Sequence, residues 1–259
     1  MFGCKDFIVV GIATFNVELL RISVPALARC GKNIFLIVYN DNPAQRLTAR
    51  DIRRLGWRGG LRIINGDGIG KIGAWFAIAD AAAGLRSNPQ WLVYADDDAM
   101  MVDVNVPNVS DDVFAVIQNS AVVRGGLADL FRAMDAPREF ACAVTGTDVL
   151  RPHVGMAGTL VRVRTMSELG QMVRGVADAV RKLDDEYGAA AADAVMWSWL
   201  NNFARAKNPG ATPIYMDCIN YILADLLATP SCGWAPARIN RIVAKYDAVL
   251  SAAAALRGE

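Results

Sequence analysis

The sequence predicts an α/β domain with a mostly parallel central sheet and helices on both faces. Short runs rich in Ile, Val and Leu alternate with segments of helical period through the first hundred residues. Phe7–Ala13 and Trp91–Ala95 are apolar throughout, as expected of strands covered on both sides. The length, 259 residues, suits one large core better than two.

The elements follow in order. Phe7–Ala13 reads as a buried strand, and Asn16 after it suits a helix N-cap. Leu19, Leu20, Val24, Leu27 and Ala28 fall at helical spacing, and Pro25 should kink that helix or end it early. Asn33–Tyr39 is a second strand, closed by the turn-prone Asn40-Asp41-Asn42-Pro43. Residues 46–56 read as helix, Leu61–Ile64 as a third strand, 71–86 as an Ala-rich helix and Trp91–Ala95 as a fourth strand. Further strands are expected at Phe114–Gln118, Phe140–Thr145 and Gly158–Val163, and helices at 166–183, 190–206 and 238–256. Without a repeat or a Pro/Ser linker, the whole of 1–259 is expected to form a single domain.

Composition argues against several classes. Twenty-seven basic against 26 acidic residues leave a net charge of +1, with no polybasic tail to signal nucleic acid or anionic lipid. No apolar run approaches the ~18 to 20 residues needed to span a bilayer, and Lys5 and Asp6 precede only a brief strand-like run. The expectation is a cytoplasmic chain. Cysteines 4, 30, 142, 218 and 232 are odd in number, widely spaced and without CxxC, the usage of a reducing compartment with no structural zinc site.

The chemistry concentrates at Tyr94-Ala95-Asp96-Asp97-Asp98. Three carboxylates at the end of a hydrophobic strand repel one another unless something neutralises them. If the chain stays extended, Asp96 and Asp98 share a face and Asp97 points away. Their oxygens are hard ligands suited to Mn²⁺ or Mg²⁺, which also accept diphosphate oxygens. A solvated turn with ordinary surface charges is the plain alternative. Ligands of open parallel sheets gather beyond the carboxyl ends of the strands, which favours a functional role.

The series Ile12-Ala13-Thr14-Phe15-Asn16, Val38-Tyr39-Asn40-Asp41-Asn42 and Asp96-Asp97-Asp98 resembles family-two glycosyltransferases with the type A (GT-A) nucleotide-sugar fold. So do Gly155-Met156-Ala157-Gly158-Thr159-Leu160-Val161-Arg162, Leu183-Asp184-Asp185-Glu186-Tyr187 and Asp193-Ala194-Val195-Met196-Trp197. The resemblance runs in order over residues 7–205 and implies a GT-A-like, Rossmann-related architecture. Residues 1–110 would then be the nucleotide-binding half and 111–259 the acceptor-binding half. It implies a nucleotide-sugar donor, with a UDP-sugar favoured, and an unidentified hydroxyl acceptor. Thr14, Phe15, Asn16, Asn40, Asp41, Lys71, Asp96 and Asp97 would bind the donor. Asp98 would be the principal ligand of Mn²⁺ or Mg²⁺, with Asp96 on the ribose or a metal-bound water. Asp193 would be the general base of an inverting transfer, and Gly155, Met156, Ala157, Gly158 and Trp197 would lie on the acceptor side. Asn40 stands where the family often has an aspartate, and Ala192 replaces the usual acid before the base. Trp197, four residues after Asp193, suits either a stacking platform or the core.

A rival motif is Gly68-Ile69-Gly70-Lys71-Ile72-Gly73. It satisfies GxGxxG, follows a strand and opens a helix, with Asp96 further on where a ribose-binding acid would sit. That reading makes the chain an NAD(P)- or flavin-dependent oxidoreductase. Against it, the loop follows the third strand instead of the first, and Asp67 would repel a pyrophosphate. A binding protein that keeps the GT-A fold without catalysis is a third reading. His153, the only histidine, precedes Asp193 and reads as structural, and the basic residues of 238–256 read as one face of an ordinary amphipathic helix.

Overall fold

The computed structural model describes residues 8–30, 33–105, 107–117, 156–173, 189–215 and 219–223. Among these, the elements in chain order are β1 (Ile8–Thr14), a 3-10 turn (Val17–Leu19), α1 (Leu20–Leu27), β2 (Ile34–Asn40), α2 (Ala49–Arg54) and β3 (Gly60–Asn65). They continue with α3 (Gly70–Ala83), β4 (Trp91–Asp96), β5 (Ala99–Val104), β6 (Val113–Ile117), β7 (Leu160–Arg162), α4 (Val163–Val173), α5 (Ala189–Lys207), β8 (Thr212–Tyr215) and β9 (Ile219–Leu223).

Seven strands form one sheet in the order β3-β2-β1-β4-β7-β6-β8. β1 to β4 are mutually parallel, β7 runs antiparallel to β4 and β6, and β8 is parallel to β6. β5 and β9 pair antiparallel in a separate two-stranded sheet. Both faces of β1, β2 and β4 are buried, and the strand period of two explains how. Val9, Ile37, Leu92 and Tyr94 face the layer of α3, α4 and α5. Ile8, Val10, Ile12, Leu36, Val38 and Val93 face Leu20, Val24 and Leu27 of α1 and Ile52 of α2. This two-sided burial is what the uninterrupted apolar runs predict.

Local signals behave as their chemistry requires. The Asn16 side chain accepts from Glu18 N at 3.2 Å and starts the 3-10 turn, and α1 stops two residues beyond Pro25. Thr48 and Asp51 close a capping box at α2. At Gly11 an added Cβ would overlap Ile78 of α3, so glycine lets α3 lie close on β1. Pro213, which has no N–H to donate to a ladder, sits in the edge strand β8. The expected strand at 140–145, the helix at 238–256, His153 and Gly155 lie outside the described residues. Among the described residues, no helix is long and apolar enough to cross a membrane.

Candidate functional site

The parallel register lines up the strand ends. Thr14 pairs with Asn40, Asn40 with Asn65, and Ala13 with Asp96. The next residues, Phe15, Asp41, Gly66 and Asp97, therefore leave the sheet along one edge. There a cleft of about 360 Å³ opens, lined by Ala13, Thr14, Phe15, Asp41, Lys71, Ala74, Trp75, Ala95, Asp96, Asp97 and Asp98. It lies beyond the carboxyl ends of β1, β2 and β4, where open α/β sheets bind ligands.

The three aspartates are not arranged as an extended strand would place them. β4 ends at Asp96, and Asp97 and Asp98 turn into β5. The expected alternation stops there, and Asp97, expected to point away, is turned inward. Its Oδ2 accepts from the Thr14 hydroxyl at 2.6 Å. Burial pushes the Asp97 carboxyl up to about 7. The Thr14 hydrogen bond opposes that shift, the neighbouring Asp98 and Asp96 add to it, and Lys71 draws it back.

Lys71 reaches in from the first turn of α3. Its Nζ lies 3.7 Å from Asp96 Oδ1 and 4.9 Å from the centre of the Trp75 ring. The Trp75 carbonyl accepts from the Tyr94 hydroxyl at 2.8 Å, which fixes α3 against β4. Phe15 stands at the mouth with 63% of its surface exposed, and Asn42 Nδ2 donates to the Phe15 carbonyl at 3.1 Å.

Asp41 lines the same cleft, with both carboxylate oxygens engaged. Ile69 N donates to Oδ1 at 2.8 Å and Gly70 N to Oδ2 at 2.9 Å. The backbone N–H of Asp41 donates to the Thr14 carbonyl at 2.8 Å. Gly68 and Gly70 have φ of +75° and +82°, so the first two glycines of the GxGxxG motif are required by this turn. The amides that a dinucleotide pyrophosphate would use already hold the protein's own carboxylate.

Two expected contacts are corrected. Asn40 is fully buried and does not line the cleft. Its Nδ2 donates to Asn65 Oδ1 at 3.0 Å and to the Gln45 carbonyl, and its Oδ1 accepts from Asn42 N at 3.2 Å. With both ends of the amide committed, it shapes the 41–48 loop instead of reading a base. Trp197 is buried in the layer of α3 to α5, with its ring centre 6.1 Å from that of Phe114. It is a core residue, and an acceptor platform is ruled out by its burial.

Other predicted residues sit elsewhere. Met156 is buried in the same layer, Ala157 bridges to Tyr94, and Gly158 N donates to the Tyr94 carbonyl at 2.8 Å. This turn pairs with Tyr94, two residues before Asp96, and is not part of the cleft lining. Asn16 acts as the cap described above. Asp193 lies on α5, and its side chain is outside the described set. Trp75 was missed, although its i+4 spacing from Lys71 placed it on the same helix face.

No protein-family model and no curated protein matches the sequence. Among solved structures, the apo form of the glycosyltransferase GlyE of Streptococcus pneumoniae TIGR4 aligns with 80% of this chain and 44% of its own, at 12% identity and a TM-score of 0.42. A second GlyE structure covers 82% and 45%, at 10% identity and a TM-score of 0.40. The apo structure of the bifunctional WbbM covers 82% and 39%, at 9% identity and 0.37. These neighbours are glycosyltransferases, and this chain spans less than half the length of each. A likeness this slight carries no argument about activity, so the functional reading rests on the cleft itself.

Among the described residues, no group of three His, Cys, Asp or Glu side chains converges as a ready cation cage. The donor set still has the right chemistry for a hard divalent ion. Asp96, Asp97 and Asp98 line one cleft, and carboxylate is the preferred protein ligand of Mg²⁺ and Mn²⁺.

Proposed function

We propose that the chain is a metal-dependent glycosyltransferase that moves a sugar from a nucleotide-sugar donor, with a UDP-sugar favoured, to a hydroxyl acceptor in the cytoplasm. The observation that carries this reading is the charge of the cleft, which among the described residues is lined by the carboxyl groups of Asp41, Asp96, Asp97 and Asp98 and by one lysine, Lys71. A bare diphosphate is repelled by such a lining, whereas one accompanied by a divalent cation is attracted.

Residues 1–110 would form the donor half and 111–259 the acceptor half. Asp98 and Asp96 would hold Mn²⁺ or Mg²⁺, which when bound supplies Lewis-acid stabilisation of a leaving diphosphate. Thr14 keeps the neighbouring Asp97 carboxyl fixed through its hydroxyl. Phe15 offers an exposed aromatic face to the nucleotide base, and Lys71 brings a cation to the phosphate side. Asp193 would accept the acceptor hydroxyl's proton as its oxygen bonds to the anomeric carbon. The bond from that carbon to the leaving phosphate oxygen breaks on the opposite side, with inversion. The 155–158 turn would border the acceptor.

The test is release of UDP from a panel of UDP-sugars in Mn²⁺, with Asp193→Asn alongside. The reading expects release by the native chain and at least about a hundredfold less in the variant, with UDP binding kept. Binding of UDP with no release from any sugar donor would leave a binding protein in place of an enzyme.

A further inference from the structure

We propose that Asp41 decides how phosphate is received in the cleft. Its carboxylate fills the anion seat at the start of α3, closing that seat to a ligand and holding Lys71 in place. The start of a helix presents unpaired amides and the positive end of the helix dipole. α3 has 14 residues, and its N-cap position is Ile69, which makes no side-chain cap. Isoleucine has no acceptor to offer there. The missing cap comes from 28 residues upstream in the form of Asp41, which accepts from both Ile69 N and Gly70 N.

The surrounding backbone is built to converge on that carboxylate. The positive φ of Gly68 and Gly70 shapes the turn whose successive N–H groups reach one carboxyl group, the arrangement that elsewhere cradles anions. Asp41 is itself tied to β1 through its own N–H on the Thr14 carbonyl. Its charge is thus fixed between two strand ends and a helix start.

Two consequences follow. The 68–70 loop is a phosphate-type loop already liganded by its own chain, so a metal-free dinucleotide or pyrophosphate finds the seat taken. Lys71, the residue after Gly70, is set at the cleft wall 3.7 Å from Asp96. Asp41 is therefore a positioning residue for Lys71 and a specificity determinant against metal-free phosphate. The Lys71 consequence rests on the proposed function, and the filled seat does not.

The experiment titrates inorganic pyrophosphate without metal into the native chain, Asp41→Ala and Asp41→Asn, followed by UDP with Mn²⁺ into each. Amide NMR shifts of Ile69 and Gly70 report where pyrophosphate binds. Emptying the seat in Asp41→Ala is expected to raise metal-free pyrophosphate affinity by at least about tenfold and to move those two amides. The isosteric Asp41→Asn, which keeps one acceptor but no charge, should gain a smaller factor and serves if the alanine variant does not fold. UDP with Mn²⁺ should bind at least about tenfold more weakly to Asp41→Ala, because the first turn of α3, which carries Lys71, loses its tie to Asp41 through Ile69 N and Gly70 N. Pyrophosphate affinity unchanged from native in both variants would overturn the filled seat. If no form binds UDP with Mn²⁺, the glycosyltransferase reading fails, while the pyrophosphate titration still decides the role of Asp41.

Discussion

The Thr14 hydroxyl donates to Asp97 Oδ2 at 2.6 Å, joining the carboxyl ends of β1 and β4 in the wall of the cleft. It is the hydrogen bond that opposes the burial of Asp97. Thr14→Val removes it with little change of shape. At pH 8, with Asp97 ionised, the loss should be about 2 kcal/mol, since a buried carboxylate forfeits a charge-assisted partner. At pH 5 the loss should be smaller, and urea unfolding at the two values checks the difference.

The pH dependence of stability follows from Asp97 as well. Its carboxyl is raised from 3.8 to about 7 in the folded chain, so the folded state holds a proton that the unfolded state has released. This group's favourable contribution is full below pH 3.8, falls as pH rises through about 7 and is absent above it. The span corresponds to roughly 4 kcal/mol at most. Asp97→Asn should flatten the decline in denaturant midpoint between pH 4 and pH 7 and be more stable than the native chain at pH 8. An unchanged slope would place the titrating group elsewhere.

Asn40 gives a sharper contrast between a fold residue and a ligand residue. Its amide bonds Asn65 and the backbone of the 41–48 loop, so Asn40→Ala leaves buried polar groups unpaired. The expected cost is about 2 to 3 kcal/mol in chemical unfolding, with nucleotide preference unaltered. A change of preferred base with stability intact would restore Asn40 to the donor site.

Gly11 tests the closeness of α3 to β1. In Gly11→Ala the added methyl overlaps the buried Ile78, which sits mid-helix with little room to yield. Unfolding measurements should show a loss of about 1 to 3 kcal/mol, because the helix that carries Lys71 and Trp75 must move outward.

β1, β2 and β4 were legible because both faces of each are buried, leaving apolar runs between polar turns, whereas the half-exposed β3 carries Arg62 in its middle. Thr14, Phe15 and Asp41 were named on the resemblance alone, and they meet the three aspartates because parallel strands end along one edge, with Lys71 joining them from the start of α3. The inward turn of Asp97 was not legible. No glycine, proline or asparagine marks the break at 97–98, so period-two alternation was carried one residue too far. Nor could Asn40 show its commitment to Asn65, a partner 25 residues away on a neighbouring strand. The GxGxxG motif was visible, but the carboxylate that fills it comes from another loop. β5 lay hidden too, because its partner β9 is more than a hundred residues distant.

The central claim is that the acidic cleft takes a nucleoside diphosphate together with a divalent cation. Calorimetric titration of UDP with and without Mn²⁺, into the native chain and Asp98→Ala, tests it most directly. The account predicts binding only with Mn²⁺ and a loss of at least about tenfold in the variant. Equal binding without metal, or tight metal-free binding of NAD, would contradict it.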